Sequence, residues 1–430
     1  MMDRFGFEQY ESYAESNVRW IGKLPSHWKV ERSKWLFSDR KERARRGEPQ
    51  LAATQKYGVI PQSQFMEIEG RRVTQVFLDF DILKHVESGD FVMSMRSFQG
   101  GIEYSEHTGC VSSAYVALRP GPRVEPAFFR YLLKSTRYIE ALQSTSNLVR
   151  DGQALRFDNF SAVDLFIVPI EEQRSIATFL DEKCAKIDVA VKIKEDQITL
   201  LRERRQIIIQ EAVTRGLNSA TPLKDSGIDW IGQIPAHWEV RRSKFVFTQR
   251  KELARKDDIQ LSATQSYGVI PQEKFEELVG RRVVKIQTNL EKRKHVELDD
   301  FVISMRSFQG GLERAWAAGC IRSSYIILRP HEEICPTFFG YLFKSPRYIK
   351  ALQTTASFIR DGQDLTFENF AMVDLFLPPI NEQREIADEI KRKCEKVENG
   401  IAIKERQIAA LKEYKASLIN AAVTGKIKVI

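Results

Sequence analysis

A chain of 430 residues is long enough for two or three domains, each with its own core. Its 43% apolar and 29% charged content is that of an ordinary soluble globular protein, and the N-terminus, MMDRFGFEQYESYAES, lacks an apolar signal core. The longest apolar runs, such as Val163 to Ile170, are too short to span a bilayer, so the expectation is a cytoplasmic protein with no membrane partner. The net charge of +8 and pI near 9.1 favour a polyanionic partner, although charge alone is weak grounds. The five cysteines show neither zinc spacing nor a disulfide framework and read as reduced, mostly buried residues.

Taken in order, the chain is one unit written twice. Trp20-Ile21-Gly22 returns as Trp230-Ile231-Gly232, an offset of 210. The same offset carries Tyr57 to Gln62 onto Tyr267 to Gln272, SMRSFQGG at 94–101 onto 304–311, and RDGQ at 150–153 onto 360–363. It still holds at Glu172-Gln173-Arg174 and Glu382-Gln383-Arg384, and no insertion or deletion is expected between the copies. Such a pair is a duplicated module with internal pseudo-twofold symmetry rather than a solenoid.

Each module opens on a lead-in, about 1–25 and 216–235, that reads as loop or linker. A globular part follows, roughly 26–168 and 236–378. Asp90 to Met95 and Cys110 to Leu118 read as strands, with turns at Gly100-Gly101 and Arg119 to Pro122. Pro126 opens a helical stretch that buries Phe129, Leu132, Leu133, Tyr138 and Leu142, and Val163 to Ile170 reads as a last strand.

A long helix closes each module, 171–215 and 381–425. Leu180, Cys184, Ile187, Val191, Lys194, Ile198, Leu201, Arg205, Ile208 and Ala212 follow one another at steps of 4 and 3, the a/d seam of a coiled coil. Ile390, Cys394, Val397, Ile401, Lys404, Ile408, Leu411, Lys415, Leu418 and Ala422 repeat the pattern. Two matching seams in one chain predict helices that pack on each other. The helices carry nine basic against nine acidic residues and nine against eight, so the excess positive charge sits on the globular parts.

WIGKLPSHW and WIGQIPAHW, RDGQ with a following Phe-x-x-Phe, and PIEEQRSIA and PINEQREIA leading into a long charged helix resemble the specificity subunit of type I restriction–modification enzymes. The resemblance runs over nearly the whole chain in the family's order. It implies an α/β fold in which two similar target-recognition domains (1–170 and 216–380) alternate with two helical regions (171–215 and 381–430) paired as an antiparallel coiled coil. It further implies a non-catalytic reader of bipartite double-stranded DNA. The helices act as a ruler and dock two methyltransferase subunits, and restriction subunits join them. Adenine methylation from S-adenosylmethionine and ATP-driven cleavage belong to those partners, so this chain needs no cofactor or metal of its own. The seam from Leu180 to Ala212 spans roughly 48 Å, the length of roughly 14 base pairs. Near-identical domains predict inverted half-sites that are identical or almost so. The copies differ locally, however, at Tyr104 to His107 against Arg314 to Ala317, and at Ser146 to Leu148 against Ala356 to Phe358.

Direct readout needs bidentate donors, and positioning needs cations on phosphates. The richest stretch is Arg96, Ser97 and Gln99 before a Gly pair, with Arg306, Ser307 and Gln309 in the second copy. Gln55, Tyr57 and Gln62, repeated as Gln265, Tyr267 and Gln272, combine amides with an aromatic ring. Arg71, Arg72 and Lys84, with Arg281, Arg282 and Lys294, are candidates for phosphates. For each stretch the plain alternative stays open: a hairpin turn, a surface loop, or solvated charge. RDGQ reads more readily as a turn tying domain to helix, and His27-Trp28 and His237-Trp238 as packing residues. The basic cluster from Arg40 to Arg46 is either a salt-sensitive DNA surface or a face in water.

Two other readings compete. A stand-alone methyltransferase or nuclease is disfavoured, because there is no Asn/Asp/Ser-Pro-Pro-aromatic tetrapeptide and no phosphate loop, and the E-x-K spelling at Glu389 to Lys391 falls on the heptad helix. A coiled-coil scaffold that binds only protein leaves the paired basic domains without an evident use, and the alternative kept beside the resemblance is a stand-alone DNA-binding or coiled-coil scaffold protein without a restriction system.

Overall fold

The computed structural model describes residues 6–70, 72–73, 80–94, 97–145, 155–283, 292–304, 307–355 and 365–429. The chain divides into two compact units, residues 1–195 with 405–430, and residues 196–404. Each unit therefore takes its globular part from one module and a piece of both long helices.

In the first unit the strands are β1 (Tyr13–Glu15), β2 (Lys23–Pro25), β3 (Lys29–Arg32), β4 (Phe37–Asp39), β5 (Leu51–Thr54), β6 (Gly58–Pro61), β7 (Lys84–Val86), β8 (Phe91–Met93), β9 (Glu103–Tyr104), β10 (Gly109–Val111), β11 (Val116–Pro120) and β12 (Asp164–Ile167). All named strands pair antiparallel: a four-stranded sheet in the order β4-β11-β8-β9, and the pairs β1–β2, β3–β12, β5–β6 and β7–β10. The second unit repeats these pairings at the offset seen in the sequence.

Three expectations are corrected. Each lead-in carries a two-stranded hairpin, Tyr13–Glu15 with Lys23–Pro25 and Leu223–Asp225 with Gln233–Pro235. Cys110 to Leu118 is two strands rather than one. A turn in which the Tyr115 amide donates to the Ser112 carbonyl sends β10 to β7 and β11 to the large sheet. The copies also differ by one residue at the ends of the long helices. Gly216 lies against Pro235 and Trp238, and its counterpart against Pro25 and Trp28 is Gly425, which is 209 positions on.

The helical stretch after Pro126 forms as Pro126–Leu132 and Thr136–Ser144, divided where the Ser135 hydroxyl caps the second helix by accepting from the Tyr138 amide. Phe129, Leu132, Leu133, Tyr138 and Leu142 are fully buried, as the 3.6-residue pattern requires. They join Phe37, Phe91 and Phe160 in one aromatic core, and Phe37 meets Phe91, Phe129 and Phe160 edge to face at 5.3–5.6 Å.

The long helices are Ile170–Arg215 and Ile380–Val423. Every seam position named above is buried or half-buried. Within the first unit Lys415 pairs with Asp188 at 2.7 Å, and within the second Arg205 pairs with Glu398 at 3.4 Å. Within the second unit Leu201 meets Gly400 and Arg205 meets Glu398, numbers rising on one helix as they fall on the other, so the two helix pieces there run antiparallel. A Cβ added at Gly400 would stand 3.6 Å from the Leu201 side chain, an ordinary contact.

The Glu-Gln-Arg strings fix each globular part to its helix. Gln173 is fully buried; its amide donates to the carbonyls of Val168 (2.7 Å) and Arg123 (2.9 Å) and accepts from the Glu125 amide (2.8 Å). Gln383 makes the equivalent bonds to Pro378 and Cys335. Glu172, also buried, receives the Trp28 indole N–H (3.1 Å), the Tyr10 hydroxyl (2.5 Å) and the His27 ring (2.8 Å). Trp28 stacks on Phe166 at 5.3 Å, so His27-Trp28 does serve packing while also holding this carboxylate.

Candidate nucleic-acid interface

The β5–β6 hairpin turns through Gln55, Lys56 and Tyr57. Thr54 closes the turn, its hydroxyl accepting from the Tyr57 amide (2.9 Å) and donating to the Gly58 carbonyl (3.1 Å). Gln55 is exposed, and its side chain crosses Gly100, where an added Cβ would stand 2.5 Å from the amide nitrogen. That is why the QGG of this turn follows its Gln with glycine. Gln265 crosses Gly310 in the same way. Lys134 ties the cluster together: its ammonium reaches the Gln55 carbonyl (2.9 Å) and the buried Glu103 carboxylate (2.7 Å). Burial raises the Glu103 pKa, against the pull of Lys134. Lys344 and Glu313 pair likewise in the second copy.

The Tyr57 hydroxyl donates to Glu69 (3.0 Å), which places the end of helix Gln62–Glu69 beside the hairpin turn. Gly70 ends that helix in the left-handed conformation and Arg72 follows, exposed. The structure thus gathers the hairpin turn, the one-turn helix Ser97–Gly100 and the end of Gln62–Glu69 at one edge of the unit.

The candidate residues separate by burial. Gln55, Arg72, Gln99, Gln265, Tyr267, Arg281, Arg282 and Gln309 are exposed, and Tyr57 is half-buried. Ser97 and Ser307 are buried, and their hydroxyls accept from the amides of Ser94 and Ser304 at 2.9 Å. Gln272 is buried and donates to the Val283 carbonyl (3.2 Å), while Gln62 is half-buried. Lys84 and Lys294 sit within strands and donate to the carbonyls of Tyr115 (2.5 Å) and Tyr325 (2.7 Å). Burial lowers the pKa of Lys294. Lys84 also lines an open cleft of about 700 Å³ with Lys34, Lys41 and Arg156. Arg71, Arg96, Arg306, both RDGQ strings and residues 146–148 and 356–358 lie outside the described residues.

The basic cluster is only partly outward. Arg40 is buried, and its guanidinium reaches Asp90 (2.6 Å), Glu87 (2.7 Å) and Glu42 (3.0 Å). Glu42, His85 and Glu87 lie close enough to share a cation, and Arg40 already pairs with both carboxylates. All five cysteines are buried and unpaired. Glu389, of the E-x-K spelling, is held on the long helix by Arg392 at 2.6 Å.

Sequence reasoning missed Lys134 and Glu103, although both recur at the offset as Lys344 and Glu313 within otherwise apolar surroundings. It also missed the local role of Trp316. This exposed ring lies under the Arg314 guanidinium at 4.3 Å.

No protein-family model matches the chain. It is 23% identical over 368 residues to a putative type I restriction enzyme MjaX specificity subunit of Methanocaldococcus jannaschii, covering 81% of this chain and 79% of that protein. Its fold is that of a chain from a structure on complex assembly and conformational transition of the type I R-M system (TM-score 0.66, 16% identity, 93% of this chain and 98% of that one). The HsdS subunit from Thermoanaerobacter tengcongensis is also similar (TM-score 0.52, 17% identity, 94% and 98%). Among the described residues no helix is long and apolar enough to cross a membrane.

Proposed function

We propose that this chain, similar in sequence and fold to the specificity subunits of type I restriction–modification enzymes, is the DNA-reading, non-catalytic subunit of such a complex. Each globular part reads one half of a bipartite, nearly palindromic site through the edge where the β5–β6 hairpin, the Ser97–Gly100 turn and the end of helix Gln62–Glu69 converge, or their second-copy equivalents. The paired helices set the separation of the half-sites. Methylation of adenine and ATP-dependent cleavage are the work of bound methyltransferase and restriction subunits. The observation that carries this reading is the duplicated presentation of an amide, an aromatic ring and an exposed arginine (Arg72, and Arg281 with Arg282) on each module, in a chain similar in fold over 93% of its length to a chain of a type I system.

Partner docking has its own support. Val189, Ile193, Leu200 and Ile207 are 48–63% exposed. At about 100° per residue Val189 and Ile193, in the first unit, lie roughly 40° apart and Leu200 and Ile207, in the second, roughly 20° apart, each pair opposite the seam positions beside it. The same stripe on the second helix is Asn399, Ile403, Ala410 and Ser417. An apolar line on a helix whose other side is already packed suits a protein partner better than water.

The test is reconstitution. The purified chain neither methylates nor cleaves DNA; adding its methyltransferase gives site-specific adenine methylation, and adding the restriction subunit gives ATP-dependent cleavage. Methylation by the chain alone, or a methyltransferase whose specificity ignores the chain, would reject the proposal.

A further inference from the structure

The two edges share one framework but differ most where the chain leaves β9, where five differences act as a set. After β9 the chain runs back along the β5–β6 hairpin, Ser105 bridging Val59, and in the second copy Ala315 bridges Val269. The next residue, Glu106 or Trp316, therefore stands beside the turn that carries Gln55 and Tyr57, or Gln265 and Tyr267.

In the second copy the Trp316 amide donates to the Val269 carbonyl (2.9 Å) and the indole lies across Gly268, whose Cβ would stand 2.7 Å from the indole nitrogen. The ring nevertheless stays 52% exposed. It is held from behind by Arg314, whose guanidinium is itself fixed by Asp299 (2.6 Å) and the Thr337 hydroxyl (2.8 Å) and whose side chain would stand 4.0 Å from a Cβ added at Gly340. Asp299 keeps this post at φ +69°, where the first copy has Gly89 at φ +98°. An aspartate at positive φ is tolerated but costly, and here it fixes the arginine under the ring.

The first copy replaces the whole assembly. Tyr104 turns inward onto Phe91 at 5.4 Å, Ala127 stands for Thr337, and Arg130 stands for Gly340. Glu106 presents a carboxylate that is 69% exposed and 3.8 Å from Arg130. One reader thus offers a braced aromatic face where the other offers an anionic acceptor. An apolar ring suits a thymine methyl, and a carboxylate accepts from the cytosine amino group. Five linked substitutions to keep one large ring half in water fit a ring that is covered by a ligand.

We infer that position 106/316 is where the two readers part: Trp316 packs against a thymine in its half-site and Glu106 accepts from a cytosine at the equivalent position, so the near-palindrome is broken at that base pair. This rests on the DNA-reading proposal above. The experiment is methylome sequencing of cells carrying the full chain with its methyltransferase, for the wild type, Trp316→Glu, and the graft Gly89→Asp, Tyr104→Arg, Glu106→Trp, Ala127→Thr, Arg130→Gly. The wild type should give half-sites that differ at one position. Trp316→Glu should shift that position of its half from thymine toward cytosine, changing the preference about tenfold. The graft should move the first half toward the second. Identical wild-type half-sites, or a motif unchanged in both variants, overturns the inference while leaving the DNA-reading proposal standing. No methylated motif in the wild type removes that proposal and the inference with it.

Discussion

Replacing Gln173 by alanine tests how the reader is fastened to its helix. The side chain is fully buried and answers three backbone groups: the carbonyls of Val168 and Arg123 and the amide of Glu125. Alanine leaves all three without this partner, the Val168 carbonyl in a buried place and the other two half-buried. An orphaned buried polar group costs about 1–3 kcal/mol. Taking the low end for each, Gln173→Ala should destabilise the first unit by roughly 3 kcal/mol, a large share of the ~5–15 kcal/mol that holds a domain. At ~2–4 °C per kcal/mol for a unit of this size, its melting transition should fall by about 6–12 °C. Gln383 answers two groups, the Cys335 amide and the Pro378 carbonyl, so Gln383→Ala should cost roughly 2–3 kcal/mol and act on the other unit. Calorimetry on the full chain reads both effects, since each variant should move one component of the transition. A Gln173→Ala transition within 1 °C of the wild type, or a larger loss from Gln383→Ala, would refute the reasoning.

Three further outcomes follow from other contacts. Burial pulls the His295 pKa down, but hydrogen bonds to Glu297 and Asp258 outweigh it and hold the pKa above the ordinary 6.5. A raised folded-state pKa gives stability that is complete below 6.5 and lost as pH rises through the raised value. The wild type should therefore lose stability upward across that window and His295→Gln should not; equal pH slopes in thermal melts would contradict this. Leu200 is 63% exposed, so Leu200→Glu should leave folding intact while weakening methyltransferase binding about tenfold or more, and unchanged affinity by titration calorimetry would remove the stripe from the docking face. The Lys415–Asp188 pair is at the rim, with Asp188 62% exposed, so a double-mutant cycle should give less than ~1 kcal/mol and fade in high salt.

The paired helices were legible because a 4-and-3 step kept over ten positions matches the turn of an α-helix and not the twofold alternation of a strand, and burial follows those positions. The hairpins of the lead-ins were not, since three-residue strands such as Leu223–Asp225, exposed throughout, carry no alternation to read. The division of Cys110 to Leu118 is set by which partner each half finds, β7 or the large sheet, and partners are invisible in a local pattern. At the candidate site, Gln265 and Gln272 look alike in sequence, yet one is exposed at the turn and the other buried under it. Composition marks an amide as able to read a base. Only the hairpin geometry says which amides face outward. The Glu-Gln-Arg strings contribute to the resemblance in the sequence, and the physical task of their glutamines is to satisfy backbone groups where the helix begins.

The most direct measurement is the adenine methylome of cells that express the wild-type chain with its methyltransferase and no other specificity subunit. The account predicts one bipartite motif, with two closely related half-sites in inverted orientation and a fixed spacer. A single continuous motif, two unrelated half-sites, or methylation that is the same without the chain would contradict it.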